Sequence, residues 1–152
     1  MATIITYDKK YRQDFVRLNT EWITTFFKIE ACDIKTFGHV DDIIRQGGQI
    51  FIAIDDNGTA IGCCALINHP ECCSHELAKM AVSPQCHGRN TGTQLGETAI
   101  SYATAHGIKR IFLEGNTALE ASIHLYRKLG FKEIPLNGNR YDRCDILMEL
   151  LL

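Results

Sequence analysis

Apolar residues recur along this chain with two different periods, and the switches between them mark out its elements. Ile4 and Ile5 within Thr3 to Tyr7 predict a first strand, and Asp8 caps the helix after it. Phe15, Leu18, Trp22 and Phe26 then step by three and four, which predicts an amphipathic helix from about Lys10 to Phe26. A second helix is expected over Phe37 to Gln46, stopped by Gly47-Gly48. Gln49 to Ile54 and Thr59 to Asn68 are apolar runs joined by Asp55-Asp-Asn-Gly58, which reads as a hairpin. His69 to Ser74 links it to a buried strand, Leu77 to Val82, that Pro84 brings to an end. After a loop of small residues, Leu95, Ala99, Tyr102 and Ala103 share one face of a helix from Thr91 or Gly92 to His106. A short strand at Ile111 to Leu113, a fourth helix at about Leu119 to Leu129, and strands at Phe131 to Ile134 and Arg143 to Leu150 complete the pattern. Strands interleaved with helices predict a mixed α/β sheet with helices on both faces. With 152 residues and no repeat or linker, the chain is expected to be one domain, 1–152.

Composition narrows the partners. A formal charge of −2 gives no electrostatic case for nucleic acid or an anionic membrane. The start lacks a basic segment followed by an apolar core, and no apolar run approaches membrane-spanning length, so a cytoplasmic protein is expected. There are seven cysteines, four of them in the adjacent pairs Cys63-Cys64 and Cys72-Cys73, and reduced thiols suit that compartment. His69, Cys72, Cys73 and His75 crowd one link and raise a thiol or metal sensor as a reading. Structural zinc sites favour Cys-x-x-Cys, however, and adjacent residues of an extended chain point to opposite sides, so no metal is expected.

The stretch from Glu76 to Leu95 concentrates the candidate chemistry. It reads as a strand, a tight loop and the start of a helix, and such a loop can aim several backbone N–H groups at one anion where the helix dipole also favours negative charge. Gly92 is followed by Thr93 and Gln94 rather than Lys-Ser or Lys-Thr, so the loop is no P-loop, and it lacks the Gly-x-Gly-x-x-Gly of dinucleotide sites. Val82-Ser-Pro and His87-Gly-Arg-Asn-Thr-Gly92, with Asn116 and Ile123-His-Leu-Tyr126-Arg-Lys-Leu-Gly130-Phe131 further on, resemble the GCN5-related N-acetyltransferase (GNAT) superfamily. His87 stands where that family usually has Arg or Gln, and Asn90 where it usually has Gly. Asn is the non-glycine residue that best tolerates a left-handed backbone.

The resemblance implies a mostly antiparallel sheet of six to seven strands, splayed between its central strands, and transfer of an acetyl group from acetyl-CoA to a primary amine. In the family, backbone groups at the positions of Met80, Ala81 and Val82 pair with the pantetheine arm, a form of strand addition. The amides of His87, Gly88, Arg89, Asn90, Thr91, Gly92 and Thr93 would hold the pyrophosphate, and Asn116 is a further cofactor candidate. Tyr126 occupies the position of the family's general acid, since a phenol can protonate a departing thiolate. Glu76 and Glu114, at the ends of adjacent strands, are the candidate bases, acting directly or through water. Trp22, Phe27, Glu30, Tyr141 and Arg143 are expected to line the acceptor site, with Glu21 and Asp33 nearby, where carboxylates beside aromatics can hold an ammonium group. The acceptor is expected to be a small-molecule or peptide amine, and the assembly, if the chain oligomerises, a homodimer. A non-catalytic acyl-CoA-binding module is the alternative reading.

Overall fold

The computed structural model describes residues 2–138 and 141–152. Strand β1 (Thr3–Thr6) and a single turn capped by the Asp8 carboxylate lead into α1 (Arg12–Phe26). Phe15, Leu18 and Ile23 are buried against the sheet, whereas Phe26 is half exposed and Trp22 turns to a cleft. The expected stripe is thus split between core and cavity. The second helix departs from expectation. It begins earlier and is broken into α2 (Ala31–Gly38) and α3 (Val40–Arg45), because Glu30 and Asp33 form a reciprocal capping box ahead of Phe37. His39 alone interrupts the helical run between the two.

The hairpin forms as β2 (Gln49–Ile54) and β3 (Ala60–His69), with Asp55 accepting from the amides of Asn57 and Thr59 at the turn. Strand β4 (Ser74–Val82) starts three residues before the expected Leu77 and includes Ser74 of the link. Helix α4 (Thr91–Ala105), β5 (Arg110–Gly115), α5 (Glu120–Lys128), β6 (Lys132–Ile134) and β7 (Ile146–Leu151) come next. The last strand, expected from Arg143, starts at Ile146 because Arg143 to Asp145 belong to a loop pinned across the end of β5: the Asp145 amide donates to Gly115 and its carboxylate accepts from Thr117.

These strands form one seven-stranded sheet in the order β1-β2-β3-β4-β5-β7-β6. Every neighbouring pair is antiparallel except β4 and β5, which are parallel and registered only at His75 with Ile111 and Glu76 with Phe112. Beyond Glu76 the two strands diverge, and the expected splay lies there. Two apolar clusters sandwich the sheet. Phe15, Leu18, Val40 and Ile43 pack on one face with Cys63, while Leu95, Ala99 and Ala103 of α4 pack on the other with Cys64. Adjacent cysteines on opposite faces result from the two-residue period of a strand.

Gly48, between α3 and β2, shows how closely this layer approaches the sheet. A Cβ there would stand 2.2 Å from the Leu66 carbonyl oxygen and 2.9 Å from that of Ile43. Backbone atoms cannot rotate away, so Gly48→Ala is expected to cost about 1–3 kcal/mol. Its thermal midpoint should fall by roughly 3–10 °C, and an unchanged melt would contradict this packing.

Candidate active site

The divergence of β4 from β5 is fixed by a kink. Between the pairs Ala65–Ala78 and Cys63–Ala81 the register with β3 slips by one residue, and Lys79 takes a left-handed backbone with φ 56°. A non-glycine residue in this region carries roughly 1–3 kcal/mol of strain. Its side chain explains why it stays there. The Lys79 ammonium donates to Asp33 Oδ1 at 2.6 Å and to the Tyr141 hydroxyl at 2.9 Å. Arg143 grips both oxygens of the same carboxylate at 2.8 Å and reaches Glu30 at 3.1 Å. Side-chain exposure is 0% for Asp33 and 3% for Lys79, so this pairing is dry.

Burial alone would push the Asp33 carboxyl up, but hydrogen bonds from Arg143 and Lys79 outweigh it and hold the group well below the usual carboxylate range. Burial pushes the Lys79 ammonium down, against the pull of Asp33. Burial also opposes the Arg143 charge, yet Asp33 and Glu30 leave it more firmly protonated than usual. Glu30 and Asp33 are therefore engaged with the protein's own cations and do not present the acidic wall expected of the acceptor site. Glu21 lies on the exposed side of α1, near Arg17.

Two cavities meet across the splay. The first encloses ≈ 90 Å³ and is lined by Trp22, Phe27, Glu76, Glu114, Tyr141 and Arg143 among others. The second, ≈ 690 Å³, runs along Met80 to Val82, the loop from Cys86 to Thr93, and α5. Trp22, Met80, Leu119, Ser122 and Tyr126 belong to both. Tyr126 therefore stands at the junction. Burial, with Cys64 behind it, pushes its phenol up to about 12, so it stays protonated at neutral pH. Among the described residues its hydroxyl has no hydrogen-bond partner. Glu76 lines the small cavity and contacts His69, while Glu114 accepts from the Tyr141 amide at 3.4 Å and steadies that loop.

The larger cavity has the backbone expected of an anion and strand-addition site. Ser83 donates to Ile61 on β3, and in an antiparallel ladder the neighbouring Val82 must then turn its N–H and C=O the other way, into the splay. Gly88 and Asn90 both adopt positive φ, 82° and 62°, so Asn90 does provide the left-handed turn. No side chain caps the start of α4, which leaves its first amides for a ligand. The His87 ring turns back on the strand end, with Nε2 3.1 Å from the Val82 carbonyl. Asn116 is likewise occupied, donating to Arg143 and accepting from Ala118.

His124 and Lys128 line the same cavity and were missed in the sequence. They share a helix face with each other, four residues apart, but not with Tyr126, so the motif residue did not point to them. Lys79 was missed too, and no local signal marks it. The histidines of the link separate: His69 turns to Glu71 and Glu76, and His75 to the Gly47 carbonyl.

Two connected cavities meeting at a protonated phenol across a split sheet are the layout of a two-substrate group-transfer enzyme. The chain belongs to the acetyltransferase (GNAT) family, whose model matches residues 12–131. An uncharacterized N-acetyltransferase of Schizosaccharomyces pombe is 30% identical over 129 residues, covering 78% of this chain and 75% of that protein. Other curated relatives are matched over as little as 20% of their own length. Among solved structures, a GNAT-family acetyltransferase of Staphylococcus aureus superposes with a TM-score of 0.86 at 20% identity, covering 98% of both chains. A phosphinothricin acetyltransferase of Sinorhizobium meliloti, solved with acetyl-CoA, gives 0.81 at 19% identity over 99% of this chain and 88% of its own. The protein is thus an acetyltransferase of this family.

Asp33→Ala would leave the Lys79 charge buried without its counter-ion, at an expected cost of about 3–5 kcal/mol in urea unfolding at pH 7. The Asp33 carboxyl is depressed on folding, so its stabilisation is complete above its unfolded value near pH 4 and is lost as pH falls below it. The gap between wild type and Asp33→Asn should accordingly narrow toward pH 2; a gap independent of pH would refute the assignment.

Proposed function

We propose that this enzyme moves the acetyl group directly to a primary amine in the small cavity, with Tyr126 as general acid and Glu76 as base. The observation that carries the reading is the position of Tyr126 between the two cavities, with a protonated hydroxyl that no described residue engages. Acetyl-CoA, when bound, supplies the acetyl thioester. The residues present fit it: Met80, Ala81 and Val82 offer a strand edge, and Gly88 to Thr93 offer amides at the start of α4. Arg89 in the loop and Lys128 on α5 add positive charge, and the His124 ring lines the same cavity. The His87 ring has to leave the Val82 carbonyl before that oxygen can accept from a ligand.

On the acceptor side, an amine enters as its ammonium form and must lose a proton before it can attack. Glu76 takes that proton, and its nearly complete burial keeps water from competing for it. Glu114 is the weaker candidate because its carboxylate already supports the loop at Tyr141 and Cys144. Tyr126 delivers its hydroxyl proton to the leaving sulfur and recovers one from solvent through the larger cavity. About 90 Å³ corresponds to a few water molecules, which suits an amine on a narrow stem, on a small molecule or a peptide. Trp22 and Phe27 supply the apolar wall for that stem.

Calorimetric titration with acetyl-CoA should give saturable one-to-one binding, and a mass-spectrometric screen of primary amines should return acetylated product. Tyr126→Phe is expected to lower kcat by roughly 10²–10⁴-fold while leaving the acetyl-CoA Kd nearly unchanged. An unaltered kcat would remove Tyr126 from the mechanism.

A further inference from the structure

The link between β3 and β4 holds a contact that acetyl transfer, as described, does not use. His69 ends β3 with its ring between two carboxylates: Nδ1 is 3.1 Å from Glu71 Oε1 and Nε2 is 3.0 Å from Glu76 Oε1. Side-chain exposure rises from 2% at Glu76 through 14% at His69 to 69% at Glu71, so the three groups lead from the cavity wall to water. The ring is steadied by Phe112, with centroids 5.2 Å apart. Cys73, left-handed at φ 54°, closes the turn that returns the chain from Glu71 to β4.

Proton counting decides the chemistry. A ring nitrogen and a carboxylate oxygen at about 3 Å need a proton between them. Two such contacts need two protons, and a neutral imidazole carries only one. Glu71 stands in water and is ionised at neutral pH, so Nδ1 donates to it. A carboxylate as buried as that of Glu76 can serve as a base only if hydrogen-bond donors satisfy its charged form, and the His69 Nε2 is placed to be one.

We propose that His69 is an imidazolium that donates at both ring nitrogens and so keeps Glu76 oriented and ionised, a positioning residue for the base. The proposal rests on the reading of Glu76 as that base. Other charged or titratable groups face the triad. Lys79 on β4 adds a second positive charge that Glu76 feels, Glu114 on β5 a negative one, and Arg110 lies over the Phe112 ring. Tyr126, Arg143 and Cys144 line the same cavity, and α1 contributes the uncharged Asn19 and Trp22.

The test is nitrogen NMR of the intact chain between pH 5 and 9, with the His69 ring identified by the signal lost in His69→Gln. In the wild type both ring nitrogens of His69 should remain protonated at pH 7. Glu76→Gln should lower the pH at which His69 becomes neutral by about one unit or more. In turn, His69→Gln should move the acid limb of kcat/KM for acetyl transfer to higher pH by a similar amount, with the acetyl-CoA Kd unchanged. A His69 ring already neutral at pH 7 overturns the proposal and leaves Glu76 as a base untouched. Full transfer by Glu76→Gln would instead sink the assignment of the base, and the proposal with it.

Discussion

The parallel contact between β4 and β5 lasts for two residue pairs, and everything functional in this protein depends on its ending there. A sheet that stayed zipped would satisfy the backbone groups of Met80 to Val82 and close both cavities. The left-handed kink at Lys79 prevents that, and a dry pairing of Lys79 and Arg143 with Asp33 holds the strained backbone in place. Strain stored at a site is stable only when its surroundings over-determine it. Here the determinants come from α2, from β4 and from the loop before β7, so three separate parts of the chain meet on one carboxylate.

That arrangement separates two electrostatic tasks across a single opening. On one side, burial keeps the Tyr126 phenol neutral and protonated, a proton donor that does not ionise near neutral pH. On the other, Glu76 lies in the wall of the small cavity, 2% exposed, with its carboxylate 3.0 Å from His69 Nε2. Tyr126 and Glu76 both border the splay, and what stands behind each differs: an apolar core with Cys64 for one, the His69 ring leading to solvent for the other.

Much of this architecture is legible in the chain itself. The period-two runs of β2 and β3, the three-and-four spacing of α1 and α4, and the glycine stops at Gly107 and Gly130 are local signals, and local chemistry obeyed them. Asn90 fell in the left-handed region as its side chain allows. The broken second helix was missed because the decisive signal was a capping box at Glu30 and Asp33, whose carboxylates also had to serve Arg143. Trp22 and Phe26 followed helical spacing, yet Trp22 sits at the edge of the core lining both cavities and Phe26 is half exposed, since periodicity assigns residues to a face without saying what covers it.

The sequence by itself determined the order of strands and helices, the two-faced sheet, the family and the loop at the start of α4, because each rests on contacts between residues close in the chain. Only the tertiary structure decided that Lys79 is a buried structural cation, that Glu30 and Asp33 are spent on it and on Arg143, and that His69 backs Glu76. The Lys79–Asp33 and Arg143–Asp33 contacts join residues 46 and 110 positions apart. No spacing rule reaches that far; such pairs exist only once the sheet has brought their strands and loops together and excluded water from between them.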